Sequence, residues 1–175
     1  MEARFKRMPS KSLSFSLNVN GKDFKLNLLS RTTLAEALRN NLGLTGTKIG
    51  CNRAMCGSCT VIMDNRPIFA CTVLAAEALN KKIETIEGLE TGNKLHPIQD
   101  AFIEYDAVQC GICIPGMVMS AKALLDTNLD PTESEIKTAV SGNLCRCGTY
   151  PNTVKAVIAA ARQMRNSRVG GMLSE

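Results

Sequence analysis

The sequence predicts an α+β fold in two parts, a small sheet with one helix packed on it followed by a compact unit of four helices. Three observations predict it. Up to about Gly88 most apolar residues alternate with polar ones at period two, and beyond Gly92 every apolar repeat has helical spacing. An Asn-Gly pair separates two alternating runs near the N-terminus. Eight cysteines fall four to each part, as expected of two small units that each need a metal site, because a short chain buries too little apolar surface to be robust alone.

The chain opens with a basic stretch, "MEARFKRMPSK", read as a solvated tail over residues 1–11. Next, "SLSFSLNV" sets Leu13, Phe15, Leu17 and Val19 on one face, and after Asn20-Gly21 the run "KDFKLNLL" does the same with Phe24, Leu26 and Leu28. Both central positions of a type I′ turn need positive φ, which Asn and Gly supply, so this is a β-hairpin. "TTLAEALRNNLG" changes period. Leu34, Ala37, Leu38 and Leu42 share a helical face, with Thr32 or Thr33 as N-cap, Glu36 in the first turn and Gly43 as the stop. A cysteine-bearing loop follows, then "CTVIMD", a turn at "NRP" and "IFACTV", a second predicted hairpin, and "KKIETIEG" supplies a closing strand. Residues 12–88 thus make a sheet with a helix on one face.

The four helices occupy residues 89–165. Ile98, Ala101, Phe102 and Tyr105 mark the first, and Met117, Ala121, Leu124 and Leu125 the second. The third is predicted to begin at "DPTESEI", with Asp130 as N-cap, Pro131 at N1 and Glu133 at N3, and to stop at Gly142. The fourth begins near Pro151 and carries Val154, Val157, Ile158 and Ala161 on one face; residues 166–175 are read as a C-terminal tail.

Composition excludes several classes of function. The net charge of +5 is modest, Lys and Arg are scattered except at the ends, aromatic residues are 4% of the chain and Trp is absent, so there is no basic-aromatic platform for nucleic acid. No apolar run approaches the length of a membrane span, and the N-terminus carries neither a secretory apolar core nor a twin-arginine pair. The expectation is a cytoplasmic protein. In that reducing compartment eight cysteines make a poor disulfide framework and a good metal-ligand set.

Cys51, Cys56 and Cys59 are spaced C-x4-C-x2-C, and Cys71 follows on the return of the second hairpin. That is the plant-type ferredoxin spacing for a [2Fe-2S] cluster. A two-iron cluster is elongated, so a loop must wrap one iron and reach the other, whereas a zinc ion is normally clipped by two short C-x2-C turns. A cluster with four thiolates is anionic and needs backbone N–H donors around it. Gly57 lets the chain approach closely; positions 52–55, Asn-Arg-Ala-Met, contain no Gly, and Asn52 is the residue there that tolerates positive φ. In the second group, Pro115 marks a helix start, placing Cys110 and Cys113 in the loop at its positive end, and Cys145 and Cys147 lie between the Gly142 stop and the Pro151 start. Two helix-loop junctions can bring both pairs to one end of the bundle. Structural zinc stays open for either group on ligand type alone, although the C-x-C of Cys145 and Cys147 argues for a second cluster.

These eight spacings in this order, with "QCGICIPG" and "NLCRCGTYP", resemble the iron-sulfur subunit or domain of the molybdenum hydroxylases: the xanthine dehydrogenase, aldehyde oxidoreductase and carbon monoxide dehydrogenase family. The resemblance runs from about Ser12 to Arg165. It implies a β-grasp [2Fe-2S] ferredoxin-like domain followed by a four-helix-bundle [2Fe-2S] domain. By the resemblance, Cys51, Cys56, Cys59 and Cys71 bind the cluster farther from molybdenum and Cys110, Cys113, Cys145 and Cys147 the nearer one. Gln109 and the neighbourhood of Cys147 are implied to touch the pterin of a molybdenum cofactor held by a large partner subunit. An FAD-binding medium subunit and an assembly such as a dimer of heterotrimers are implied as well. The family usually has glycine-rich residues between the first two cysteines, and this chain departs from that pattern.

Substrate chemistry needs acid, base or nucleophile groups gathered in a pocket, and the sequence offers none. His96, the only histidine, precedes Pro97 at a helix start and reads as a cap or a surface residue; no phosphate-binding glycine loop is present. Arg146, between the last two ligands, is either a surface charge or a cation that stabilises the cluster or the pterin. "PGMVMSAK" reads as helix core, and Lys48 and Arg53 as a solvated face or a steering patch for an acidic partner. The function expected is single-electron transfer from a molybdenum centre on one partner to a flavin on another. The alternatives are a stand-alone ferredoxin-like carrier and a zinc-stabilised interaction protein.

Overall fold

The computed structural model describes residues 12–172, so the predicted N-terminal tail lies outside the described residues. Strands β1 (Ser12–Val19) and β2 (Lys22–Leu29) form the first hairpin, with Val19 opposite Lys22 across Asn20 (φ 52°) and Gly21 (φ 75°). Both turn residues have the positive φ that a type I′ turn demands. Thr33 caps α1 (Leu34–Glu36): its Oγ1 accepts from the Glu36 N–H, and the Glu36 carboxylate accepts from the Thr33 N–H at 2.9 Å. The helix then widens into a π turn over Ala37–Asn41 and ends before Gly43 at φ 71°.

The second hairpin pairs β3 (Thr60–Met63) with β4 (Arg66–Phe69). Its turn is Asp64-Asn65, at φ 48° and 64°, and not the expected "NRP". Asp and Asn tolerate the left-handed region, and Pro67, which lacks an N–H, falls in edge strand β4 where no further strand needs one. After a 3₁₀ turn at Ala75–Ala78 comes β5 (Lys82–Glu84), shorter than the expected strand because the chain turns into a 3₁₀ segment at Ile86–Leu89. The sheet order is β2-β1-β5-β3-β4, with β5 parallel to β1 and antiparallel to β3.

The helices are α2 (Pro97–Glu104), α3 (Ile114–Thr127), α4 (Glu133–Val140) and α5 (Tyr150–Met172), the last continuing into the expected tail. The N-cap of α4 is Thr132 with Glu135 at N3, two residues beyond the expected Asp130. A capping box satisfies two backbone donors reciprocally, with Thr132 N–H to Glu135 at 2.7 Å, and this outcompetes Asp130-Pro131. Asp130 instead pairs with Arg165 at 2.6 Å.

Strand alternation divides the interior. Val61 joins Leu17, Val19, Leu34, Leu38 and Ile83 in a core on the α1 side, while its neighbour Ile62 belongs to the core of Phe102, Met117, Met119, Leu125 and Ile136. The sheet therefore lies between α1 and the helices, with α3 against β3 and β4. Lys122 on α3 pins this contact by bridging Glu84 of β5 at 3.0 Å and Asp126 at 2.7 Å. Among the described residues no helix is long and apolar enough to cross a membrane.

Candidate metal centres

The loop from Gly50 to Cys59 is wound by three left-handed residues, Asn52 (φ 54°), Ala54 (φ 55°) and Gly57 (φ 70°). The expectation for Asn52 holds, and Ala54 is an addition that the sequence did not signal. This winding aims backbone amides at sulfur: Arg53 and Met55 donate to Cys51 Sγ at 3.4 and 3.2 Å, and Ala54 donates to Cys71 Sγ at 3.4 Å. Cys51 lies within hydrogen-bond reach of Cys56, and Cys59 of Cys71. The Arg53 and Met55 amides bring the Cys51 thiol down to about 7, whereas burial pushes Cys59 up to about 12. A thiol like Cys59 gives up its proton when a metal takes that proton's place.

In the second group Cys113 is the N-cap residue of α3 and is buried, and Cys110 is exposed in the turn before it, beyond Gly111 at φ 85°. Cys145 and Cys147, both half-buried, lie between α4 and α5. Cys110 meets Cys147, and Cys113 meets Cys145. Burial pushes Cys113 up to about 12. Burial also opposes ionisation of Cys145, but hydrogen bonds from Thr149, whose hydroxyl is 3.3 Å away, overcome it and bring that thiol down to about 7.

Each group is thus two cysteine pairs side by side, and a two-iron cluster takes two thiolates at each iron. Among the described residues no three His, Cys, Asp or Glu side chains converge as ligands of one ion. With amides directed at sulfur and donors in pairs, the residues present fit a [2Fe-2S] cluster in each group.

The two groups touch. Leu144 N–H donates to the Cys56 carbonyl at 2.9 Å, and the Asn143 side-chain Nδ2 donates to the Gly57 carbonyl at 2.9 Å and to Thr60 Oγ1 at 3.3 Å. Tyr150 Oη accepts from Cys145 N–H at 2.8 Å and donates to the Asn143 carbonyl at 3.0 Å. Gly116, in the first turn of α3, packs directly on the Gly57 carbonyl. Gly116 ends the motif "QCGICIPG" and Asn143 and Tyr150 lie in "NLCRCGTYP", but neither motif reveals the contacts these residues make, since their partners lie up to 86 residues away.

Gln109 is exposed beside Cys110, and Arg146 is exposed with no ion pair among the described residues. Lys48 donates to its own loop at the Thr45 carbonyl, 2.7 Å away, while Arg53 is exposed. His96 caps α2, its Nδ1 accepting from Ile98 N–H, and Met117 and Met119 are fully buried, so both are structural as expected. Exposed apolar side chains stand beside both groups: Met55, Val108, Ile112 and Leu144.

Residues 17–84 match the family described as "2Fe-2S iron-sulfur cluster binding domain", and residues 85–158 the family described as "[2Fe-2S] binding domain". The nicotine 6-hydroxylase small subunit of Paenarthrobacter nicotinovorans is 43% identical over 158 residues, covering 90% of this chain and 95% of that one. The nicotinate dehydrogenase small FeS subunit of Eubacterium barkeri is 43% identical over 154 residues, covering 88% and 98%. Among solved structures, quinoline 2-oxidoreductase from Pseudomonas putida 86 superposes with a TM-score of 0.81 at 43% identity, covering 88% of this chain and 98% of its counterpart.

Proposed function

Because this chain belongs to the iron-sulfur small subunits of the molybdenum hydroxylase family, we propose that it conducts electrons one at a time from a molybdenum-pterin centre on a large partner subunit towards an acceptor on another partner. The observation that carries the reading is the pairing of the eight thiols: Cys51 with Cys56, Cys59 with Cys71, Cys110 with Cys147, and Cys113 with Cys145. Each [2Fe-2S] cluster, when bound, supplies a one-electron couple. The first two pairs hold one cluster and the last two the other. The amides of Arg53, Ala54 and Met55 stabilise the anionic charge at Cys51 and Cys71, and the Thr149 hydroxyl does so at Cys145.

Electrons enter at the Cys110 and Cys147 end, where the exposed Gln109 and the half-buried Cys147 meet the pterin, and leave by the Cys51–Cys59 loop towards FAD on a medium subunit. Residues 12–88 form the β-grasp ferredoxin-like unit and 89–165 the four-helix unit, and the working assembly is a cytoplasmic hetero-oligomer, a dimer of heterotrimers or similar. Supporting a permanent subunit over a free carrier, Met55, Val108, Ile112 and Leu144 leave apolar surface beside both groups that a partner would cover.

The test is iron, acid-labile sulfide, molybdenum and flavin content of the assembly that co-purifies with the full chain. Four irons and four sulfides per chain are expected, with a visible iron-sulfur spectrum. Zinc in place of iron, or a chain that purifies alone and holds two irons, would overturn the reading.

A further inference from the structure

We propose that Asn143 is a positioning residue that fixes the separation of the two cysteine groups, and with it the electronic coupling between them; this rests on the reading of both groups as cluster sites. Asn143 is 1% exposed and sits two residues before Cys145, yet its side chain reaches across to the backbone between Cys56 and Cys59. The chemistry fixes which way its amide points. Thr60 Oγ1 gives its hydrogen to the Gly57 carbonyl at 2.6 Å, so that hydroxyl and that carbonyl both present lone pairs, and only the NH₂ end can satisfy the two.

Its main chain is held as firmly. Asn143 N–H donates to the Val140 carbonyl at 2.9 Å, and its carbonyl accepts from Tyr150, which in turn holds Cys145 N–H. A continuous chain of hydrogen bonds therefore runs from Cys145 through Tyr150 and Asn143 to Gly57, next to Cys56. Alongside it, Leu144 N–H joins the Cys56 carbonyl directly.

Asn143 Oδ1 is buried without a partner among the described residues. An orphaned acceptor costs stability, and an apolar side chain of similar size would avoid that cost. What the amide adds is the place where it holds Gly57. The step it serves forms and breaks no bond: one centre is oxidised as the other is reduced by the same electron.

The experiment uses the purified assembly with Asn143→Leu, of similar volume without donors, and Asn143→Asp, of the same shape with an acceptor facing acceptors. Thr60→Val removes one of the two acceptors and leaves Asn143 in place. Iron per chain is measured first. Electron paramagnetic resonance of the fully reduced protein then reads the magnetic splitting between the two centres, which reports their separation and does not follow from fold stability.

At full iron loading, loss of the resolved splitting is expected in both Asn143 variants, with a narrower splitting in Thr60→Val. Wild-type splitting in loaded Asn143→Leu and Asn143→Asp overturns the proposal. If both Asn143 variants lose iron, Thr60→Val decides: narrowed splitting supports the proposal, and unchanged splitting assigns Asn143 to folding alone. A wild-type chain lacking two paramagnetic centres would instead refute the cluster reading, so the two failures are distinct.

Discussion

Replacing Gly116 by Ala sets two effects of opposite sign against each other. Gly116 is helical and buried in the first turn of α3, and on propensity alone Ala would stabilise a helix interior by about 1 kcal/mol. The structure reverses the sign. A Cβ there would overlap the Gly57 carbonyl oxygen and lie 3.0 Å from Ser58 Cα and 3.1 Å from Asn143 Nδ2. Two of these three neighbours are backbone atoms, and Gly57 is itself held at φ 70° with its carbonyl bonded by Asn143 and Thr60, so the loop cannot yield cheaply. Either α3 or the cysteine loop must retreat by on the order of 1 Å to reach a normal carbon–oxygen contact. Overpacking of this kind costs ~1–3 kcal/mol. Because Cys113 begins α3 and Cys59 ends the loop, the strain falls on both cluster sites. The assay is the rate at which the visible iron-sulfur absorbance bleaches in urea. A destabilisation of ~1 kcal/mol or more corresponds to bleaching at least about fivefold faster in Gly116→Ala. Bleaching at the wild-type rate, or slower as helix propensity alone requires, would refute the close-packing argument.

Ala54→Gly should slow the same bleaching by about two- to fivefold, because relieving a left-handed Ala recovers ~1–2 kcal/mol, of which ~0.5–1 is returned to the unfolded chain's entropy; Asn52→Gly, where Asn already tolerates that φ, should change little. His96 has its pKa held below the usual value by burial and then by the Lys122 charge, so the neutral imidazole caps α2. Its contribution is present above the unfolded pKa and lost as pH falls through the folded one. His96→Ala should therefore lose about 1 kcal/mol in urea unfolding at pH 7.5, a difference that shrinks below about pH 6.5. Arg146→Gln removes an exposed charge worth ~0.2–1 kcal/mol to an anionic neighbour, and redox titration should show the Cys110–Cys147 cluster lowered by about 10–40 mV with the other unmoved.

Much of the site was legible because its determinants are local. Asn20-Gly21 announces its turn, since few other pairs accept positive φ twice, and the C-x4-C-x2-C spacing describes a wrap that one ion does not need. Local rules failed where two of them competed. Asp130-Pro131 and Thr132-x-x-Glu135 are both good helix starts, and the second won by satisfying two amides. Ala54 gave no sign, because its left-handed φ is imposed by the sulfur its amide serves. The contact among Gly57, Gly116 and Asn143 was illegible for a different reason: it joins three segments whose sequences say nothing of one another.

The sheet's order has a bearing on biosynthesis. β1 finds its inner neighbour only in β5, whose first residue is Lys82, eleven positions after Cys71. A ribosome must therefore have released all four thiols of the first group before the strand that completes the sheet emerges. Cys51, Cys56, Cys59 and Cys71 are thus synthesised while the sheet is still open at its middle.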